Sequence, residues 1–473
     1  MDPLRKPFNP HKHLKEEFVS NLTGSSMLEI AALSAIVPAL ILLRHCISSS
    51  GIRDLLYVAE ITPKKNDSVA VGPKYWKNYM VTLVMDFLCI ILPILSIFTV
   101  LAEWTHACAI CLVLMLLVFI LVKRFLPSNS HTIEGFLSSS SLRASISSYR
   151  VSMMIVTCLC ILAVDFKIYP RRYAKTETFG TGLMDLGVGS FVVANALVSR
   201  QARNVTSLKW KAALQSISPL ILLGFGRLVF TAGVDYQVHV GEYGVHWNFF
   251  FTLAAVSILT TTINIRPQYC GIFGALILIG YQICLMCGLN EYLVSNKREA
   301  NLISQNKEGL FSIFGYWGMY LVGVQLGNCL FFGTDSASKM RSVRWAIIRV
   351  WFLSLLFWSL TIILDKNVER VSRRMCNLAY VSFVFAQNFQ VLAILMLSDF
   401  FPGPKTSLLE EAFNRNLLGS FVLANVLTGI INLYVDTLSA SSLASFCILV
   451  GYAFLLTVLT GIAMFSGIKL KFW

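Results

Sequence analysis

Apolar runs of about twenty residues, the length that crosses a bilayer, recur in this chain from its N-terminal quarter to its C-terminal end. A segment inside lipid must satisfy its own backbone, which leaves helices or a closed barrel. The barrel is excluded because its strands would be short and alternating, and these runs are continuous. Thirteen segments qualify, at about 27–47, 79–101, 106–125, 149–165, 182–199, 214–231, 246–264, 269–289, 310–332, 345–364, 378–400, 416–435 and 443–465. The seventh and eighth are divided only by the short break at Arg266-Pro267. The expected fold class is all-α, a polytopic integral membrane protein with about thirteen transmembrane helices.

Only 14% of the 473 residues are charged, where a soluble chain would carry about a quarter. The net charge is +14, with the basic residues in the loops. That placement suits lipid headgroups and topology, and no nucleic-acid partner is expected. The twelve cysteines are scattered, mostly inside apolar runs, with no metal-site or disulfide-framework spacing. The opening MDPLRKPFNPHKHLKEEF lacks the apolar core of a cleavable signal peptide.

These features give one membrane unit over 27–465, with an N-terminal tail at 1–26 and a C-terminal tail at 466–473. The connections 48–78 and 126–148 are Ser- and Lys-rich. Lysine and arginine are in excess in the set of loops that includes the C-terminus, which puts that end in the cytosol and the N-terminal tail in the lumen. The final KLKFW resembles a lysine-based retrieval signal of the endoplasmic reticulum. Asn21-Leu22-Thr23 and Asn66-Asp67-Ser68 are glycosylation acceptor sequences on opposite expected faces. "GSFVVAN" at 189–195 echoes "GSFVLAN" at 419–425. The two helices run in opposite directions while the Arg-Arg pairs before them share a side, so no single symmetry operation relates them.

Charge collects between two of the apolar runs, in "LAVDFKIYPRRYAKTETFGTGLMDLGVGSF" at 162–191. Asp165 ends one run and Lys175 precedes the next. An ionised aspartate near the bilayer centre costs about 2.5–3.5 kcal/mol on insertion scales, so the pair needs partners. Two readings follow. The pair can be a structural tie between helix ends, with Arg171 and Arg172 on lipid phosphate. It can also be chemical, with Asp165 abstracting a proton from a hydroxyl while Lys175 steadies the charge, and with the arginines binding phosphate.

A second polar cluster lies in "DYQVHVGEYGVHWNFF" at 235–250. On a helix, His239, Glu242 and His246 would share a face, as three zinc ligands would. Gly241 and Gly244 argue against such a helix, and no metal is expected. Glu242, Tyr243, His246 and Asn248 suit a hydrogen-bonding wall for a sugar or inositol headgroup. Tyr243 and Trp247 suit an interfacial aromatic belt equally well.

Several long motifs stand in order: "AVDFKIYPRRYAKTETFGTGLMDLGVGSF", "EYGVHWNFF", "NKEGLFSIFGY", "VSRRMCNLAY" and "LANVLTGIINL". Together they resemble the glucosaminyl-phosphatidylinositol inositol acyltransferases of GPI-anchor biosynthesis (the PIG-W family), most nearly the fungal type. The resemblance runs from about Phe18 to Ile468. It implies a thirteen-helix enzyme of the endoplasmic reticulum membrane. Such an enzyme moves a fatty acyl chain, usually palmitoyl, from acyl-CoA as co-substrate to the inositol 2-hydroxyl of glucosaminyl-phosphatidylinositol.

The family's catalytic aspartate and lysine match Asp165 and Lys175. Arg171 and Arg172 become candidates for CoA or lipid phosphate. This chain has Lys167 where the family usually has proline, so a second amine stands near Asp165 in sequence. Direct transfer is expected, since no nucleophile elbow or Cys-His relay is present. The competing class is a lipid or solute transporter with its charges lining a pathway.

Overall fold

A computed structural model describes residues 17–18, 20–51, 73–125, 137–205, 210–233, 240–295, 297–332, 343–400 and 405–469. His239, Asn66, most of the N-terminal tail and the last four residues of KLKFW lie outside the described residues. In chain order the helices are α1 (Met27–Gly51), α2 (Pro73–Asp86), α3 (Leu92–Phe98), α4 (Thr105–Phe125), α5 (Leu137–Ala163), α6 (Leu186–Leu197), α7 (Trp210–Gly233), α8 (Val240–Tyr243) and α9 (Phe249–Ile263). They continue with α10 (Pro267–Cys284), α11 (Asn290–Val294), α12 (Leu302–Gln305), α13 (Lys307–Gly327), α14 (Val343–Asn367), α15 (Leu378–Leu395), α16 (Leu408–Arg415), α17 (Leu417–Tyr434) and α18 (Ser442–Phe465). No strand occurs among the described residues.

By length and composition, ten helices among the described residues can cross a membrane. The other three expected spans meet shorter apolar helices, Leu186–Leu197, Ile217–Val229 and Phe249–Ile263. Local chemistry sets the boundaries. Asn264 (φ 43°) ends α9 in the left-handed region and Pro267 opens α10, which realises the break read at Arg266-Pro267. Ser407 and Glu410 form a reciprocal capping box that starts α16. Side chains such as Ile110, Leu114, Leu117 and Leu121 of α4 remain exposed, as lipid-facing side chains do.

The chain divides into two compact units. Unit 1 comprises 1–30, 171–389 and 472–473; unit 2 comprises 31–170 and 390–471. Among the described residues the divisions fall inside α1, between Pro170 and Arg171, and inside α15.

In unit 1, α13 packs against α10, α6 and α9. The approach of α10 to α13 is close enough that a Cβ on Gly274 would lie 2.8 Å from the Gly318 carbonyl oxygen. Small residues at a membrane-helix contact permit this. Side-chain hydrogen bonds tie α15 in place: Asn388 Nδ2 donates to Ser190 Oγ at 3.0 Å, and the Tyr380 hydroxyl to the Asp185 carbonyl at 2.8 Å.

In unit 2, α5 packs on α17 and α16, and the Tyr452 hydroxyl of α18 donates to the Cys158 carbonyl of α5 at 2.7 Å. Unit 2 also buries four ionisable groups. Arg44 Nε meets Asp86 Oδ1 at 2.7 Å, and His45 Nε2 meets Glu410 Oε2 at 2.6 Å, with all four side chains 6% exposed or less. The second Asp86 oxygen accepts from the Leu409 backbone at 3.0 Å. Charges buried this deeply persist only when paired and hydrogen-bonded.

Candidate active site

The segment after α5 begins as a tight turn. The Asp165 and Phe166 amides donate back to Leu162 and Ala163, and Tyr169 sends its hydroxyl to Cys160 Sγ at 3.4 Å. Asp165 is 5% exposed. Its Oδ2 accepts from Asn432 Nδ2 of α17 at 2.7 Å, a contact within unit 2. Lys167 is exposed.

From Arg171 onward the segment belongs to unit 1. A 3-10 turn over Arg171–Tyr173 aims side chains at the chain's N-terminal stretch. Arg172 Nε and the Tyr173 hydroxyl reach the same Glu29 oxygen, at 3.1 Å and 2.7 Å. The Arg171 guanidinium lies 4.0 Å from the centroid of the Phe18 ring. The stretch around Gly24 docks against Thr181: Ser25 N donates to the Thr181 carbonyl at 2.7 Å, and Thr181 Oγ1 donates back to the Ser25 carbonyl at 2.7 Å. Gly180 sits at φ +130°, and a Cβ there would collide with the Thr23 carbonyl, so glycine is required.

Lys175 Nζ lies 2.8 Å from Glu242 Oε1 of α8. The same oxygen accepts from Arg373 at 3.0 Å, and Arg373 Nε reaches Asp185 Oδ1 at 2.8 Å. Asp185 also closes its own loop, accepting from Thr176 Oγ1 at 2.9 Å and the Gly182 amide at 2.8 Å. A second network lies alongside. Glu308 Oε1 accepts from Arg298 at 2.6 Å and from Arg374 at 3.0 Å, and Arg374 borders Gly241 of α8. Four loops that alternation along the sequence places on one side are thereby joined at one end of unit 1.

The electrostatics follow from this crowding. Burial alone would raise the Glu242 pKa, but the charges of Lys175 and Arg373, and more weakly Arg227, reverse this and hold it well below the usual carboxylate range. For Lys175, desolvation pulls the amine's pKa down and Glu242 opposes it. Desolvation, with the charge of Arg373 adding to it, outweighs the pull of Glu242, so the amine's pKa lies below its ordinary value while the side chain keeps 40% exposure.

The rest of the expected headgroup wall is used unevenly. Tyr243 is buried, and its hydroxyl has no hydrogen-bond partner among the described residues. The His246 side chain is exposed, while its backbone amide donates to Asn306 Oδ1 at 2.8 Å. Asn248 caps α9: its Oδ1 accepts from Phe250 and Phe251, and its Nδ2 donates to the Gly224 carbonyl at 3.0 Å. The amide of Asn248 is therefore committed to backbone at both ends.

Sequence reading passed over Glu29, Asp185, Arg373 and Asn432. Arg373 and Arg374 stood in a quoted motif but counted only toward topology. Asn432 carried a usable signal, as a polar side chain within an apolar run.

A chain with ten helices of spanning length among its described residues and ion networks buried at helix ends is a polytopic membrane protein with a charged intramembrane or interfacial site. Its relatives sharpen that class. The GWT1 family model matches residues 11–463, and the chain belongs to the GWT1 family. It is 32% identical to the phosphatidylinositol-glycan biosynthesis class W protein of Dictyostelium discoideum, across 98% of this chain and 99% of that protein. It is 33% identical to GPI-anchored wall transfer protein 1 of Aspergillus oryzae, across 96% and 97% of the two chains. An uncharacterized protein of Arabidopsis thaliana is 53% identical across 92% of this chain and 98% of that protein. That plant relative shares more sequence than the fungal one toward which the motifs lean.

Proposed function

We propose that this chain works in GPI-anchor biosynthesis, as the name of its Dictyostelium relative indicates for that protein, and that it does so as an acyl-CoA-dependent O-acyltransferase of the endoplasmic reticulum membrane. The substrates are glucosaminyl-phosphatidylinositol and an acyl-CoA, with palmitoyl-CoA as the first choice. Membrane lipids surround the reaction. The observation that carries the reading is membership of the family over nearly the whole chain, with Asp165 and Lys175 present at the positions the resemblance assigns to the catalytic pair.

In the reaction, Asp165 takes the proton of the inositol 2-hydroxyl as that oxygen attacks the thioester carbonyl. The Lys175 ammonium stabilises the negative charge that develops on the carbonyl oxygen. The carbon–sulfur bond then breaks, the acyl group stays on inositol, and the departing thiolate receives the proton to leave as free CoA. Arg171 and Arg172 hold phosphate of CoA or lipid, and Tyr243 and His246 face the sugar headgroup. Asp165 is buried, and Asn432 orients its carboxylate, as a base of fixed direction requires.

The test is an assay of purified full-length protein with palmitoyl-CoA and glucosaminyl-phosphatidylinositol. Free CoA and acylated lipid should appear in equal amounts, and Asp165→Asn and Lys175→Ala should each abolish both while still inserting. A transporter would release no CoA. Normal turnover by either variant would remove that residue from the chemistry.

A further inference from the structure

Glu242 stands in the middle of a row of charges, and its position in that row assigns it a task. One of its oxygens receives both Lys175, at 2.8 Å, and Arg373, at 3.0 Å. Arg373 is 4% exposed and pinned at its far side by Asp185, so it cannot turn away without stranding two buried carboxylates. Asp185 is fixed in turn by Gly182 and by Thr176, the residue that directly follows Lys175. The row therefore holds the amine from both ends: through its own loop and through its partner.

A purely structural staple would need only the Arg373–Glu242 and Arg373–Asp185 pairs. Both are almost fully enclosed on the arginine side. The lysine is the one cation of the row left 40% open. Placing it on a carboxylate oxygen that an arginine already fills gives it a fixed direction and a counter-charge while leaving its other protons outward. The charges that act most on Lys175 are Glu242 of α8, which it touches, Arg373 of the 368–377 loop and Arg227 of α7. Glu242 is the anion of the row that meets the amine directly, so its charge favours the protonated state.

We propose that Glu242, clamped by Arg373, is a positioning residue that orients the Lys175 amine and keeps it charged for acyl transfer, and is not a ligand of the lipid headgroup. This rests on the reading that Lys175 takes part in the reaction.

The experiment measures acyl transfer from palmitoyl-CoA to glucosaminyl-phosphatidylinositol against pH in membranes holding the full chain, with chain levels quantified. Glu242→Gln removes the paired counter-charge, so the basic limb of the profile should move about one unit or more toward lower pH. The maximal rate should fall about tenfold or more, with little change in KM for the lipid. Glu242→Asp should keep the limb near its original position. Arg373→Lys, which retains a cation, should recover more activity than Arg373→Gln.

A KM increase in Glu242→Gln with the limb unmoved would make Glu242 a headgroup ligand and overturn the proposal. A fall in rate together with chain level, again with the limb unmoved, would reduce it to a staple and overturn it equally. Lys175→Ala separates the two layers. If that variant turns over normally, the reading of the reaction fails. If it is dead while Glu242→Gln keeps the wild-type profile, only this proposal fails.

Discussion

Asn432 of α17 donates its amide to Asp165 Oδ2 across 2.7 Å, tying the turn after α5 to a helix far along the chain. A carboxylate held this way has a fixed plane. We expect Asn432→Ala to leave insertion intact and to lower acylation. The loss of a hydrogen bond to a charged group, about 1.5–3 kcal/mol, corresponds to a rate fall of about tenfold to a hundredfold. The microsomal acylation rate per inserted chain measures it, and an unchanged rate would show that Asp165 needs no such orientation.

Gly180 at φ +130° faces the Thr23 carbonyl with no room for a side chain. Gly180→Ala should therefore strain the backbone and loosen the stretch around Gly24 from Thr181, at a cost of about 1–3 kcal/mol. Thermal unfolding in detergent should report a lower midpoint for this variant. Gly187→Ala, at a position where a Cβ meets nothing within 4 Å, should report none. Equal behaviour of the two would rule the strain out.

The Arg44–Asp86 pair of unit 2 is almost wholly enclosed. Removing one partner leaves an unpaired buried charge, so Arg44→Met or Asp86→Leu alone should cost about 3–5 kcal/mol. The double variant should cost less than either single change. A double-mutant cycle on unfolding midpoints decides this, and additive losses would refute the coupling.

Glu410 gives a pH dependence with a definite sign. Burial pushes its carboxyl up, but His45 at 2.6 Å and the Ser407 amide bring it below its ordinary value of 4.5. A group whose folded pKa is depressed contributes stability above its unfolded pKa and loses it as pH falls through the folded value. Stability in detergent should therefore decline on acidification below about 4.5. Glu410→Gln should flatten that part of the curve. A curve of unchanged slope in the variant would assign the acid sensitivity to other groups.

The helices were legible because length and apolarity write themselves into every span. Even the Arg266-Pro267 break is realised by Asn264 and Pro267 side by side. Two segments proved short, Leu186–Leu197 and Phe249–Ile263, since runs such as 182–199 mix glycine and loop residues that hydropathy alone counts toward a span. The site was half legible. Lys175 and Glu242 were each chosen for their charge, but nothing in sequence spacing joins residues 67 positions apart. Arg373 was hidden because a loop arginine reads first as a topology signal. Asn248 was chosen for its chemistry as a headgroup contact. The requirement for a cap at the start of α9, three residues from Phe251, is a local need that a search for ligands overlooks.

The interleaved order of the two units sets a timetable for biogenesis. The ribosome completes Asp165 and must add 267 further residues before the amide of Asn432 exists. At about 5–20 residues per second, that interval is roughly 13–53 s. A polypeptide interrupted anywhere before Asn432 lacks this contact and the closing half of unit 2, so early stop codons are expected to yield no partially working product.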